Sequence, residues 1–330
     1  MDSLSLSRIA APMVNQSDLP FRLLVGKYGA TATYTQMLVP DKLLNDRDYL
    51  EYHQRDLEIS GHANHGKPTT VQLCGHDPEA IVQAGRRMQN LCNGIDLNLG
   101  CPQDAAREGR YGAYLLGQKD WPLVTSIVSS MSHSLDVPVT AKLRLCQPSS
   151  TTVDLASSLE ASGAAWITLH PRTVSARRRR QGAADLEVVK TLKSSLTIPV
   201  ISNGNVRHWE DIPKNLELTG ADGVMVGETL LGNPCLFANF LPDPIDISCE
   251  YLELCEQYRN TVTLPIVKAH IRHIVDLQCA RRPWFSKFRN ALTECSTIED
   301  INHLLRVKVQ RWRGRLCHGD SEQDGEDIQS

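Results

Sequence analysis

Residues 138–170 read PVTAKLRLCQPSSTTVDLASSLEASGAAWITLH. The first run, 138–145, is rich in Val, Thr and Leu and predicts a strand. Residues 152–161 carry Val153, Ala156 and Leu159 at three-residue spacing and predict a helix, and 165–170 predict a second strand. A strand, a helical crossover and another strand form a parallel unit. Strands this apolar are covered on both faces. The same alternation extends outward in both directions. Further strands are predicted at 8–12, 31–36, 69–74, 94–98, 198–202 and 222–226, and further helices at 78–91, 121–134, 186–195 and 209–218. Eight strands with helical crossovers predict an α/β fold of the (β/α)8 TIM-barrel type, with an open doubly wound sheet as the structural rival.

The pattern changes beyond residue 240. Pro242 and Pro244 predict a linker over 241–247, and from residue 250 the apolar spacing is helical only, as in Leu252 and Cys255 or Ile271, Ile274 and Val275. Pro265 and Pro283 mark breaks between these helices. The expected organisation is a barrel over 1–240, a small all-helical domain over 241–318, and an acidic, disordered tail over 319–330.

The whole chain of 330 residues has a net charge of -3, whereas residues 250–317 hold twelve Lys/Arg against seven Asp/Glu. The basic excess is therefore concentrated in the helical unit. No apolar stretch is long enough for a membrane span, and residues 1–8 lack the apolar core of a signal peptide. Ten cysteines without metal-type pairing are expected to be reduced thiols in a cytoplasmic or nuclear protein. Neither a metal nor a protein partner is predicted, and a monomer is expected.

In a barrel of this type the chemistry gathers at the carboxyl ends of the strands. Gln72, Asn98, Lys142, Arg144 and His170 fall at such ends, as do Asn203-Gly204-Asn205 and Gly227-Glu228. Burying these polar groups on successive strands is costly unless they face a shared polar ligand. The glycines after the seventh and eighth strands suit a phosphate group approached by backbone N–H groups, and they equally suit plain strand caps. Cys101 follows the fourth strand in Asn98-Leu99-Gly100-Cys101-Pro102. A thiol over the barrel mouth serves as nucleophile, metal ligand or proton donor. Arg177, Arg178, Arg179 and Arg180 form a run that is either solvated or phosphate-binding.

These stretches, taken in order, resemble the tRNA-dihydrouridine synthases. The resemblance is carried by Ala11-Pro12-Met13-Val14 with Asp18-Leu19-Pro20-Phe21-Arg22, Val71-Gln72-Leu73-Cys74-Gly75, and Asp96 through Gln103 with Gly109-Arg110-Tyr111-Gly112-Ala113. It continues through Lys142-Leu143-Arg144, His170-Pro171-Arg172-Thr173, Asn203-Gly204-Asn205 and Asp222-Gly223-Val224-Met225, and loosely into the helical region. It implies an FMN enzyme that reduces the C5–C6 bond of uridine in tRNA with NADPH or NADH. Pro12, Met13 and Val14 would lie along the flavin, and Gln72 and Lys142 would bond its polar edge. His170, Asn203, Gly204, Asn205, Gly227 and Glu228 would complete the pocket. Cys101 would protonate C5, while Asn98 and Arg144 would hold the flipped uracil.

The motifs are most similar to the eukaryotic branch acting on uridines 16 and 17, although residues 166–173 also resemble the branch acting at 20a and 20b. Many family members carry Arg where Glu228 stands, so its carboxylate is expected to point away from a phosphate. Two rival functions remain at this level: an FMN-dependent reductase of a small pyrimidine or enone, and a tRNA-binding protein without catalysis.

Overall fold

The computed structural model describes residues 5–63, 67–176 and 182–314. Eight parallel strands close into a barrel in sequence order: β1 (Arg8–Ala10), β2 (Ala32–Leu38), β3 (Thr69–Leu73), β4 (Gly94–Leu99), β5 (Val139–Arg144), β6 (Ile167–His170), β7 (Val200–Asn203) and β8 (Gly223–Val226). The ring closes where Ile9 of β1 pairs with Ala32 on one side and Met225 on the other. All eight strands expected from the sequence are present, with ends shifted by one or two residues, as hydrogen bonding at strand termini permits. The barrel's outer helices include Pro78–Met88, Trp121–Ser134, Thr152–Ala161, Leu186–Ser195 and Asp211–Thr219.

One expectation is corrected. The segment 241–247 is not a linker throughout, because a helix begins at Pro244 and runs to Gln257. Proline suits the first helical turn, where its missing N–H has no partner to lose. Asp243 caps the turn by accepting from Ile245 N at 2.9 Å. Helices Leu264–Cys279 and Phe285–Glu294 follow.

These helices share an apolar core with one side of the barrel. Phe21, Leu24 and Val25 from the helix Leu19–Lys27 are buried in one cluster with Tyr251, Leu252, Ile271 and Phe288. A polar cluster sits at this junction. Asp18 caps the Leu19–Lys27 helix by accepting from Phe21 N at 3.1 Å. Its carboxylate also lies 2.7 Å from His270 Nε2 and accepts from the Tyr251 hydroxyl at 3.2 Å. Burial opposes its charge, but His270, the Phe21 N–H and Arg22 outweigh burial and hold the carboxyl below its ordinary range. Nearby, buried Arg22 forms an ion pair with Asp56.

Removing one partner from such a cluster leaves the others buried and unsatisfied. Asp18→Ala is therefore expected to lower unfolding stability by about 3–5 kcal/mol, measured by urea denaturation. A loss below about 1 kcal/mol, the scale of a surface pair, would mean that this junction is held by apolar packing alone.

Candidate active site

The carboxyl ends of the strands meet at one rim, and a cleft of about 210 Å³ opens there. Pro12 and Met13 reach it from the loop after β1, Lys142 from β5, and His170 from β6. Asn203, Gly204 and Asn205 come from the end of β7, and Gly227 and Glu228 from the end of β8. Nine of the eleven residues expected to form a cofactor pocket thus line one cavity. Of the other two, Val14 is 50% exposed and absent from the lining. Gln72 is buried, with its amide committed to Asp96 and Asn98.

Local chemistry explains the cavity's shape. Ser17 Oγ accepts from Met13 N at 2.8 Å and donates to Ala11 O, which pins the turn carrying Met13. Gly204 has φ +135, and a Cβ there would lie 2.8 Å from Ala184 Cβ, so a side chain is excluded. Asn205 Nδ2 donates to Ala184 O at 2.7 Å, while its Oδ1 accepts from Ala184 N at 2.9 Å. Asn203 Nδ2 donates to Met225 O at 2.6 Å, tying β7 to β8. Both asparagine side chains therefore build the wall, leaving backbone groups to meet a ligand. Glu228 is exposed at the cavity edge. Its charge reaches the His273 ring of the C-terminal helices, a ring that burial holds below its usual range.

Two cavity cations escaped the sequence reading. Arg172 and Arg207 line the cleft with Lys142. Arg172 stood inside a quoted motif, two residues beyond His170, and its position just past a strand end was the available signal. Burial, then the neighbouring Arg144, lowers Lys142 to about 8, while Asp96 and Cys101 act in the opposite direction. His170 is pushed far below the usual histidine range by burial and by Lys142, Arg144 and Arg172. Its imidazole is therefore neutral at physiological pH, beside three cations.

Cys101 sits in a turn built by Asn98. The Asn98 side-chain oxygen accepts from Gly100 N at 3.1 Å and from Cys101 N at 3.0 Å. Arg144 braces the same turn, its Nε donating to Gly100 O at 2.9 Å and its Nη1 to Thr173 O and Ala176 O. Asn98 and Arg144, expected as uracil contacts, thus have a first task in holding Cys101. Burial raises the half-buried Cys101 thiol, opposed by the Gln103 backbone, Arg144 and Lys142. The group is consequently a protonated thiol at neutral pH, which suits a proton donor better than a thiolate nucleophile. Arg177, Arg178, Arg179 and Arg180 lie outside the described residues.

Against this geometry, the family model described as "Dihydrouridine synthase (Dus)" matches residues 8–312. The chain belongs to the dihydrouridine synthase family. A rat (Rattus norvegicus) relative named "tRNA-dihydrouridine(16/17) synthase [NAD(P)(+)]-like" is 37% identical over 94% of this chain and 69% of its own length. The chain spans 64% of the mouse protein of the same name. A human (Homo sapiens) "tRNA-dihydrouridine(20a/20b) synthase [NAD(P)+]-like" protein is 31% identical over 89% of each chain. Among solved structures, 2-naphthoyl-CoA reductase superposes with a TM-score of 0.56 at 12% identity, covering 69% of this chain and 49% of the other. That likeness concerns the barrel fold alone.

The second family motif, residues 109–113, has a packing explanation. Gly112 has φ +67, and a Cβ there would lie 2.7 Å from Cys101 O and 3.0 Å from Cys101 Cβ. Ala113 N donates to Cys101 O at 3.1 Å. Gly112→Ala is expected to leave the fold intact, cost about 1–2 kcal/mol of backbone strain, and change severalfold the rate at which iodoacetamide labels Cys101. Labelling at the wild-type rate would show that the turn absorbs the methyl group without moving the thiol.

Proposed function

We propose that this dihydrouridine synthase family member reduces the C5–C6 bond of a D-loop uridine in tRNA, at positions 16 and 17, with FMN as cofactor and NADPH or NADH as reductant. The observation that carries this reading is a half-buried thiol on a turn braced by Asn98 and Arg144, where Asn98 pairs in register with Lys142, a residue lining the cationic cleft at the barrel rim.

The donor set fits a flavin mononucleotide. Lys142, Arg172 and Arg207 offer positive charge to an anionic group. The side-chain-free backbone at Gly204 and Gly227 suits close approach by a phosphate, since a Cβ at Gly227 would lie 3.3 Å from Ala11 Cβ. Bound there, FMN would supply the hydride added at C6. The rest of the work falls to the chain itself. Cationic Lys142 stabilises negative charge in the cleft, and neutral His170 adds a hydrogen-bonding group without adding to the crowded positive charge. Cys101 delivers the proton to C5 and regains one from solvent. A uridine stacked in folded tRNA cannot reach a barrel rim, so the base must be extruded.

The C-terminal helices supply the surface for the rest of the tRNA. Lys268, Arg272 and Arg289 line one groove, and Arg282 and Arg313 lie with Trp284 and Trp312 in another. Clustered cations of this kind bind phosphates, while Trp284 and Trp312 are half-buried against the helical core. The 16/17 assignment rests on the names of the relatives with the higher identities.

Cys101→Ala tests the reading. It should bind FMN as the wild type does and reduce tRNA roughly 10²–10⁴-fold more slowly, as measured by dihydrouridine formed per enzyme. If the variant lost FMN, or reduced tRNA at the wild-type rate, Cys101 would not be the proton donor.

A further inference from the structure

Asp96 stands two residues before Asn98 on β4 and is completely buried. It pairs in register with Gln72 on β3 and Thr140 on β5, so its carboxylate lies between the two neighbouring strands. One oxygen accepts from Thr140 Oγ1 at 2.5 Å and the other from Gln72 Nε2 at 2.8 Å. The other buried aspartates of the described chain have charged or ring partners, Asp56 with Arg22 and Asp18 with His270. Asp96 hydrogen-bonds only neutral donors, an expensive arrangement for a carboxylate that the charge of Lys142 offsets in part.

The expense has a directional consequence. An ionised carboxylate only accepts hydrogen bonds, so Gln72 must turn its amide nitrogen toward Asp96. Its oxygen then faces Asn98 and accepts from Nδ2 at 2.7 Å. That in turn aims the Asn98 oxygen at Gly100 N and Cys101 N. The chain runs Cys101 N–H to Asn98 to Gln72 to Asp96, and every bond in it points the same way. Its two ends are unambiguous, since backbone N–H groups donate and a carboxylate accepts. Both ends demand the same sense for the two amides between them. Reversing the Asn98 amide would set its NH2 group against two backbone donors. Burial raises Asp96 to about 6, opposed by the hydrogen bonds from Thr140 and Gln72 and by Lys142; the sense itself follows from the geometry of the chain.

We propose that Asp96 is the positioning residue of the active site, an acceptor-only anchor that fixes the orientation of Gln72 and Asn98 and through them the turn presenting Cys101. The catalytic consequence rests on the proton-donor reading above, but the positioning itself does not.

Asp96→Asn keeps the shape of the side chain while letting it donate as well as accept, so the β3–β4 end no longer enforces the sense and only the two backbone donors at Asn98 still hold it. The double variant Asp96→Asn/Gln72→Glu moves the carboxylate one link along. The carboxylate introduced on β3 accepts from the new amide on β4 and from Asn98 Nδ2, and the original sense at Asn98 returns. Two readouts are needed: the rate of Cys101 alkylation by iodoacetamide, followed on the Cys101 peptide by mass spectrometry, and kcat and KM for tRNA reduction. Asp96→Asn is expected to change the alkylation rate severalfold and lower kcat by about 10- to 100-fold through misplacement, with KM for tRNA unchanged. The double variant should return the alkylation rate toward wild type, the readout that does not pass through the cofactor contact expected of Gln72.

Wild-type alkylation in Asp96→Asn would overturn the proposal. So would an alkylation defect that the double variant fails to repair, which would mark Asp96 as filling space only. Altered alkylation with unchanged kcat would uphold the positioning and refute Cys101 as the proton donor. Should Asp96→Asn fail to fold, Gln72→Met breaks the same chain one link later, and wild-type alkylation there would equally overturn the proposal.

Discussion

The pairing of β1 with β8 sets Ile9 opposite Met225 and leaves the sheet without a free edge. Because all eight strands are parallel, closure brings every carboxyl end to the same rim. Residues as far apart in sequence as Pro12 and Glu228 become neighbours around one cleft for that reason alone. The strands contribute apolar side chains such as Leu97, Leu99 and Leu169 to the packing around the barrel. The polar groups at the rim are what remains for chemistry.

Those polar groups are costly to bury, and the structure meets the cost by linking them. Asn98 satisfies the Cys101 turn, Arg144 closes it, and Asn205 and Asn203 tie adjoining segments. The same residues thereby become unavailable as free-standing ligand contacts. A distinction follows between groups that build the rim and groups that face a ligand. Lys142 and Arg207 line the cleft, and Arg172 does both, lining it while donating to Gly182 O. At the end of the loop that follows β1, Asp18 performs a comparable service for the C-terminal helices, joining a helix cap to His270 and Tyr251. That junction couples the helical region to the loop that carries Met13, since Asp18 follows Ser17 directly.

Much of the architecture was legible in the residues. Apolar runs at 138–145 and 165–170 separated by a helical period could form only a parallel crossover, and repetition of that unit predicted the ring. The site was legible as positions rather than as roles. Cys101, Lys142 and His170 stood out because polar residues at strand ends are costly without a purpose. Asn98 was read as a substrate contact, because nothing in a linear sequence reveals that its oxygen is already taken by Gly100 and Cys101. The importance of Asp96 was equally hidden. Its partners Gln72 and Thr140 lie on two other strands, and only register brings them together. Pro244 looked like part of a linker, although a proline also opens a helix once Asp243 stands before it. Which of the two it did depended on the packing of that helix against Phe21, Leu24 and Val25.

In the proposed activity the cationic cleft would hold FMN, which would supply the hydride, and Cys101 would supply the proton to a uridine drawn out of tRNA. The direct measurement is to incubate the purified protein, FMN and NADPH with an unmodified tRNA transcript and to map the product by nuclease digestion and mass spectrometry. A gain of two hydrogens at a D-loop uridine, absent without NADPH, is the predicted result. Bound FMN that oxidises NADPH while every D-loop uridine stays unchanged would contradict the account.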